Sequence, residues 1–287
     1  MTLPRLLLAA LLATTNGALV QPVRADNVQL PEAEVSVERL SEMMRLEELF
    51  AVLRDEGIQN GRELADTMFP DGGGAGWNAD LARIYDANAL RARFDAVLEQ
   101  DLGADPSAMK GVVDFYGSDL GQRILGLEIE ARRAFLDAAA EEAAQVAADD
   151  AASAKDPKVA LIRRMIEACD LLEMNVAGSM SSSLAFSQGM VESGGYGATL
   201  PPDQLTSDAW AQEEQTRADL SSWLYSYLGL AYAPLSEAEL TRYVEFWESP
   251  AGQRLNAALF KGFDAVFRPV SEDLGRAAGK AMQGLDI

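Results

Sequence analysis

Two stretches of this chain say nearly the same thing 131 residues apart: DFYGSDLGQRI (Asp114–Ile124) and EFWESPAGQRL (Glu245–Leu255). Each reads as the end of one helix, a break, and the start of another. Ser249 precedes proline, which pushes it out of the α region. It is then free to cap a new helix with Pro250 at the first position. In the first phrase Ser118 is the cap, and Asp119 suits the positive end of a helix dipole. The elbow is therefore expected at Ser118, Gly121, Ser249, Pro250 and Gly252.

Helical spacing runs through both flanks. Before the second phrase, Ser236 and Glu239 form a capping box, with Leu235 and Leu240 as its hydrophobic staple. Leu240, Tyr243, Val244 and Trp247 follow as one apolar stripe. Asp105, Pro106, Met109, Val112, Val113 and Tyr116 do the same before the first phrase. Beyond the phrases, Ile124, Leu127, Ala131 and Phe135 answer Leu255, Ala258, Gly262 and Val266. Small residues at 131 and 262 predict close helix contact.

Upstream, Val37, Leu40, Met43, Met44, Leu49 and Phe50 align with Val159, Ile162, Met165, Ile166, Leu171 and Leu172 at an offset of 122. The difference is assigned to Gly- and Pro-rich loops at FPDGGGAGWNAD (69–80) and 192–210, followed by helices near 79–101 and 208–231. No alternating strand pattern is present. The expected fold is all-α: two duplicated helical-bundle modules of about four helices each, packed with approximate two-fold pseudo-symmetry. ADDAASAKDPK (148–158) links them, giving 1–25 as a signal peptide, 26–150 as copy one and 151–287 as copy two.

The signal segment rests on Arg5, the apolar run Leu6–Ala13, and small residues at Val23 and Ala25. Cleavage after Ala25 removes Arg5 and Arg24 and takes the net charge from −21 to −23. The segment is too short to span a bilayer and no later apolar run is long enough, so no membrane insertion is expected after its removal. So acidic a surface repels nucleic acid and anionic lipid. The expected location is the periplasm, and the expected partner an unidentified periplasmic or envelope protein.

Histidine is absent, which removes Ser–His–Asp and Cys–His catalysis and histidine metal sites. Cys169 is the only cysteine. Its place on the face of Ile162, Met165 and Ile166 makes it a buried apolar thiol, with an intermolecular disulfide as the other reading. PDGGGAG lacks the Lys-Ser/Thr of a phosphate loop. Asp71, Asn78 and Asp80 lack calcium-loop spacing. No catalytic residue, cofactor or metal is expected. Gln122, Arg123, Gln253 and Arg254 are the binding candidates: each pair lies just inside a helix N-terminus, where free N–H groups and a guanidinium fork suit an anion. The competing reading has each Arg pairing within its own copy to fix the joint. Phe115, Tyr116, Phe246 and Trp247 read as core.

LSEAELTRYVEFWESPAGQRL resembles the conserved segment of domain-of-unknown-function family 2059, through Ser236, Glu239, Leu240, Phe246, Trp247, Ser249, Pro250, Gly252, Gln253 and Arg254. The first phrase keeps Phe115, Tyr116, Ser118, Gly121, Gln122 and Arg123 but has Asp119 in place of proline, so copy two is the better match. The resemblance implies a helical, exported bacterial protein and brings no catalytic residues. The expected function is a non-catalytic protein-interaction or envelope-support module. The alternative is a binder of an acidic small molecule in a groove between the copies. A carboxylate-dependent hydrolase is a third reading.

Overall fold

A computed structural model of the chain describes residues 36–195 and 202–285. The expected signal peptide and cleavage site lie outside them. Among the described residues all regular structure is helical: α1 (Val37–Met43), α2 (Leu46–Met68), α3 (Gly74–Ile84), α4 (Ala87–Asp101), α5 (Pro106–Tyr116), α6 (Asp119–Ala134) and α7 (Ala138–Ser153). These are followed by α8 (Pro157–Ala168), α9 (Leu171–Glu192), α10 (Pro202–Ala211), α11 (Glu213–Tyr232), α12 (Glu237–Glu248) and α13 (Pro250–Leu285). The all-α expectation holds.

Caps set many of these boundaries. Ser36, Asp86, Asp105, Ser118, Asp137, Asp156 and Ser236 each accept a backbone N–H of the helix they precede. The Ser236–Glu239 capping box is present as read, and Leu235 and Leu240 are both buried beside it.

The chain is cut more finely than about four helices per copy. Left-handed residues Arg45 (φ 54°) and Asp170 (φ 51°) separate α1 from α2 and α8 from α9. The helix expected over 79–101 breaks at Tyr85 and Asp86, and the one over 208–231 breaks at Gln212. The loop expected over 69–80 is already helical from Gly74. The expected copy boundary at 150 falls inside α7, and the turn between α7 and α8 lies at 154–156, within the expected 148–158 link, where Lys155 has φ 59°.

The upstream register is also corrected. Gln122 bonds the carbonyl of Met43 and Gln253 that of Ala168; with the paired breaks at 45 and 170, equivalent positions there lie 125 apart, not 122. The error is three residues, almost one helical turn, a slip that leaves the apolar stripe nearly in place.

One apolar cluster runs through the molecule. α13 packs on α9 and also on α3, α4 and α5; α11 packs on α9 and also on α6 and α7. Helices from each half thus lean on the other. α13 and α9 approach so closely that a Cβ on Gly275 would lie 2.0 Å from the Phe186 carbonyl oxygen. Close contact at position 262 is likewise present, with a Cβ there 2.8 Å from the Phe94 ring.

Candidate functional site

Both elbows have the same atomic design. Ser118 Oγ donates to Phe115 O (2.6 Å) and accepts from Gly121 N (3.0 Å). Ser249 Oγ donates to Phe246 O (2.6 Å) and accepts from Gly252 N (3.1 Å). The glycines are obligatory because the chain folds back on itself: a Cβ would sit 2.3 Å from Phe115 O at Gly121 and 2.1 Å from Phe246 O at Gly252.

The glutamines are consumed by the joint. Gln122 Nε2 donates to Met43 O (3.0 Å) and Tyr116 O (2.7 Å), two carbonyls at the ends of α1 and α5. Gln253 Nε2 donates to Ala168 O (2.8 Å) and Trp247 O (2.7 Å), the same positions on α8 and α12. Each side chain thus satisfies carbonyls that helix ends leave without partners.

The arginines reach across. Arg123 bonds Glu239 Oε1 (2.5 Å) and Pro234 O (2.8 Å), beside the cap of α12. Arg254 donates to Asp101 O (2.7 Å) and lies 3.8 Å from Asp105 Oδ2, the cap of α5. The expected pairing within each copy is corrected: the partners belong to the other half. Ser236 bonds hold the Glu239 carboxyl below the usual carboxylate range, with Arg123 contributing less. Between the elbows, Phe115 and Phe246 stack on each other with ring centroids 4.1 Å apart. The aromatic pairs are core, as read, and the two phrases meet back to back.

Beneath α12 lies a group that periodicity alone did not single out. Glu128 and Arg132 on α6 are 1% and 3% exposed. The buried face is Ile124, Leu125, Glu128, Ile129, Ala131 and Arg132; Leu127 and Phe135, placed on the expected stripe, are only partly buried. Arg132 pairs with Glu56 at 2.9 Å. Glu128 Oε1 accepts from Tyr232 (2.5 Å) and Tyr243 (2.8 Å), and its backbone carbonyl accepts from Tyr227 (2.7 Å). Burial holds the Glu128 carboxyl well above the usual carboxylate range; the two tyrosine bonds oppose this only in part. A cavity of about 30 Å³ adjoins it, lined in part by Tyr232, Tyr243, Cys169 and Asn256. Cys169 is buried, and burial pushes its thiol up to about 12. The intermolecular disulfide reading is therefore not supported: the sulfur is neither exposed nor ionised at neutral pH.

A larger space lies where the two halves meet, a groove of about 730 Å³ between α7, α8 and α11. One wall is the alanine stripe Ala144, Ala147, Ala148 and Ala151; another carries Ser221, Ser222 and Tyr225; the third presents Val159 and Ile162 flanked by Lys158 and Arg163. Neither Arg123 nor Arg254 lines it. Lys158 donates to Ala233 O (2.8 Å). Arg163 makes no ion pair or hydrogen bond among the described residues. The turn at 69–73 and the start of α3 line a separate pocket with Lys280, and no cluster of metal-ligating side chains occurs among the described residues.

The class these features define is an all-helical protein whose two halves interlock through matched elbows. Residues 88–149, from α4 into α7, match the family described as "Uncharacterized protein conserved in bacteria (DUF2059)". That single match falls on the first phrase, not on the second, which had the fuller set of motif residues. No curated protein and no solved structure matches the chain. Among the described residues, no helix is long and apolar enough to cross a membrane.

Proposed function

We propose that the chain is an exported, periplasmic, non-catalytic binding protein that arose by duplication, and that it holds an apolar ligand with an acidic head in the groove between α7, α8 and α11. The observation that carries this reading is the groove itself. Its volume lies in the small-molecule range, its walls are largely apolar or small, and its lining carries the Arg163 guanidinium beside two carboxylates, Asp149 and Asp156, the latter engaged in capping α8. Arg163 lacks a carboxylate partner among the described residues, as do the exposed Arg93, Arg242 and Arg268, but it alone of these lines the groove. This favours the ligand-binding alternative over a pure scaffold and moves the grip from Arg123 and Arg254 to Arg163. The export reading rests on the N-terminal sequence. The matched elbows, with their stacked Phe115 and Phe246, support duplication. A hydrolase is disfavoured because, of the two carboxylates lining the groove, Asp156 is engaged in capping α8, and the Glu128 carboxyl is locked by tyrosines in the core. Trp210, 63% exposed on α10, remains the side chain best placed to anchor a protein partner.

The test is titration with a dansyl-labelled undecanoic acid, read by fluorescence. Wild type binds. Arg163→Glu loses at least about tenfold in affinity, ~1.4 kcal/mol, as expected for a lost charge-assisted contact. Ala151→Trp fills the groove and abolishes binding. Arg254→Ala and Trp210→Ala bind as wild type. No binding by wild type, or unaltered binding by Arg163→Glu and Ala151→Trp together, overturns the reading.

A further inference from the structure

The core holds one carboxyl oxygen that the protein does not satisfy. Glu128 Oε1 receives two tyrosine hydroxyls, yet Oε2 has no hydrogen-bond partner among protein groups and is shielded from solvent. A buried polar atom left so costs about 1–3 kcal/mol, and native interiors rarely tolerate it. Leu259, 131 positions further on, lines a cavity beside this carboxyl. Glu128 also lines it, and the cavity measures about 30 Å³. A water requires ~10–15 Å³ by this measure and two to four polar partners. Two partners are at hand. Glu128 Oε2 is free to accept a hydrogen bond from a water. Asn256 spends Nδ2 on Cys169 O (2.9 Å), which leaves its Oδ1 as an acceptor.

We infer that the cavity between Glu128 and Asn256 is a built internal site for a water-sized hydrogen-bonding molecule, occupied by one or two waters that bridge Glu128 Oε2 to the Asn256 amide. The site explains why a carboxyl occupies a core position on α6. The tyrosines clamp one oxygen and the bound water satisfies the other, so the α6, α11 and α12 contact is fixed by directional bonds. Tyr232 lines both this cavity and the outer groove, so the water lies directly behind the groove floor.

A crystal structure of the full chain at a resolution that orders waters is the test, together with Glu128→Gln and Glu128→Leu. The expected result is density for water within hydrogen-bond distance of Oε2 in wild type, retained in the Gln variant and lost in the Leu variant. Infrared spectra should show a protonated carboxyl C=O band at neutral pH, absent from Glu128→Gln. A dry cavity in wild type, or Oε2 bonded directly to a protein group, overturns the inference. Wild type alone decides it if Glu128→Leu fails to fold. Dye binding in the groove can fail without touching this result, and the reverse.

Discussion

Glu128 and Arg132 are the residues that helical periodicity passed over, because a stripe is found by looking for apolar side chains. Both sit on the buried face of α6, and both are charged types that are seldom buried without partners. Their partners come from other helices: Glu56 for Arg132, Tyr232 and Tyr243 for Glu128. Those contacts span up to 115 residues, beyond the reach of any local pattern. A signal did exist: charges spaced four apart within an otherwise apolar face. The raised Glu128 pKa has a defined consequence. The folded chain keeps a proton that the unfolded chain releases above the ordinary carboxylate range, so this group's contribution falls as pH rises from about 4.3 until the folded value is passed. Glu128→Gln has no such proton. Urea midpoints should therefore improve for the Gln variant relative to wild type as pH increases above that range, with no relative change below it. Parallel curves for the two proteins across pH 4–9 would contradict a neutral buried Glu128.

At the scale of elements, the elbow was the most legible feature of the sequence, because caps, a pre-proline residue and glycine act within a few positions. Ser118, Ser249, Gly121 and Gly252 all do what local rules expect. The Gln-Arg pairs were harder. Their position at a helix start suggested anion binding, whereas glutamine closes carbonyls and arginine crosses to the opposite half. Which half an arginine pairs with is a tertiary fact. The upstream register slipped by nearly a turn for a related reason: a helical stripe almost repeats when shifted three or four residues. Gly252→Ala would place a methyl 2.1 Å from Phe246 O, backbone that cannot rotate away. The expected loss is about 1–3 kcal/mol by strain, against a gain in helix propensity of at most ~1 kcal/mol. Ser249→Ala, by losing the cap to Gly252 N and the bond to Phe246 O without steric strain, should cost ~1 kcal/mol. Urea unfolding measures both, and a Gly252→Ala protein as stable as wild type would remove the reason given for glycine there.

For the molecule as a whole, the sequence was legible as all-helical, and it suggested two helical modules packed with approximate two-fold pseudo-symmetry, without saying which helices would meet. The structure shows α13 lying on α3, α4 and α5, and α11 on α6 and α7. Arg123 and Arg254 tie each elbow to the helix cap opposite, and Phe115 stacks on Phe246 at the centre. The halves also differ: α6 and α7 are separate helices, whereas α13 is a single helix that passes through Pro269. The groove exists only because α7 meets α8 and α11, so binding there presupposes the interlocked state. The direct measurement of that interlock is differential scanning calorimetry of the full chain without its N-terminal segment. A single transition is expected, with calorimetric and van't Hoff enthalpies equal. Two resolved transitions, one for each half, would contradict it.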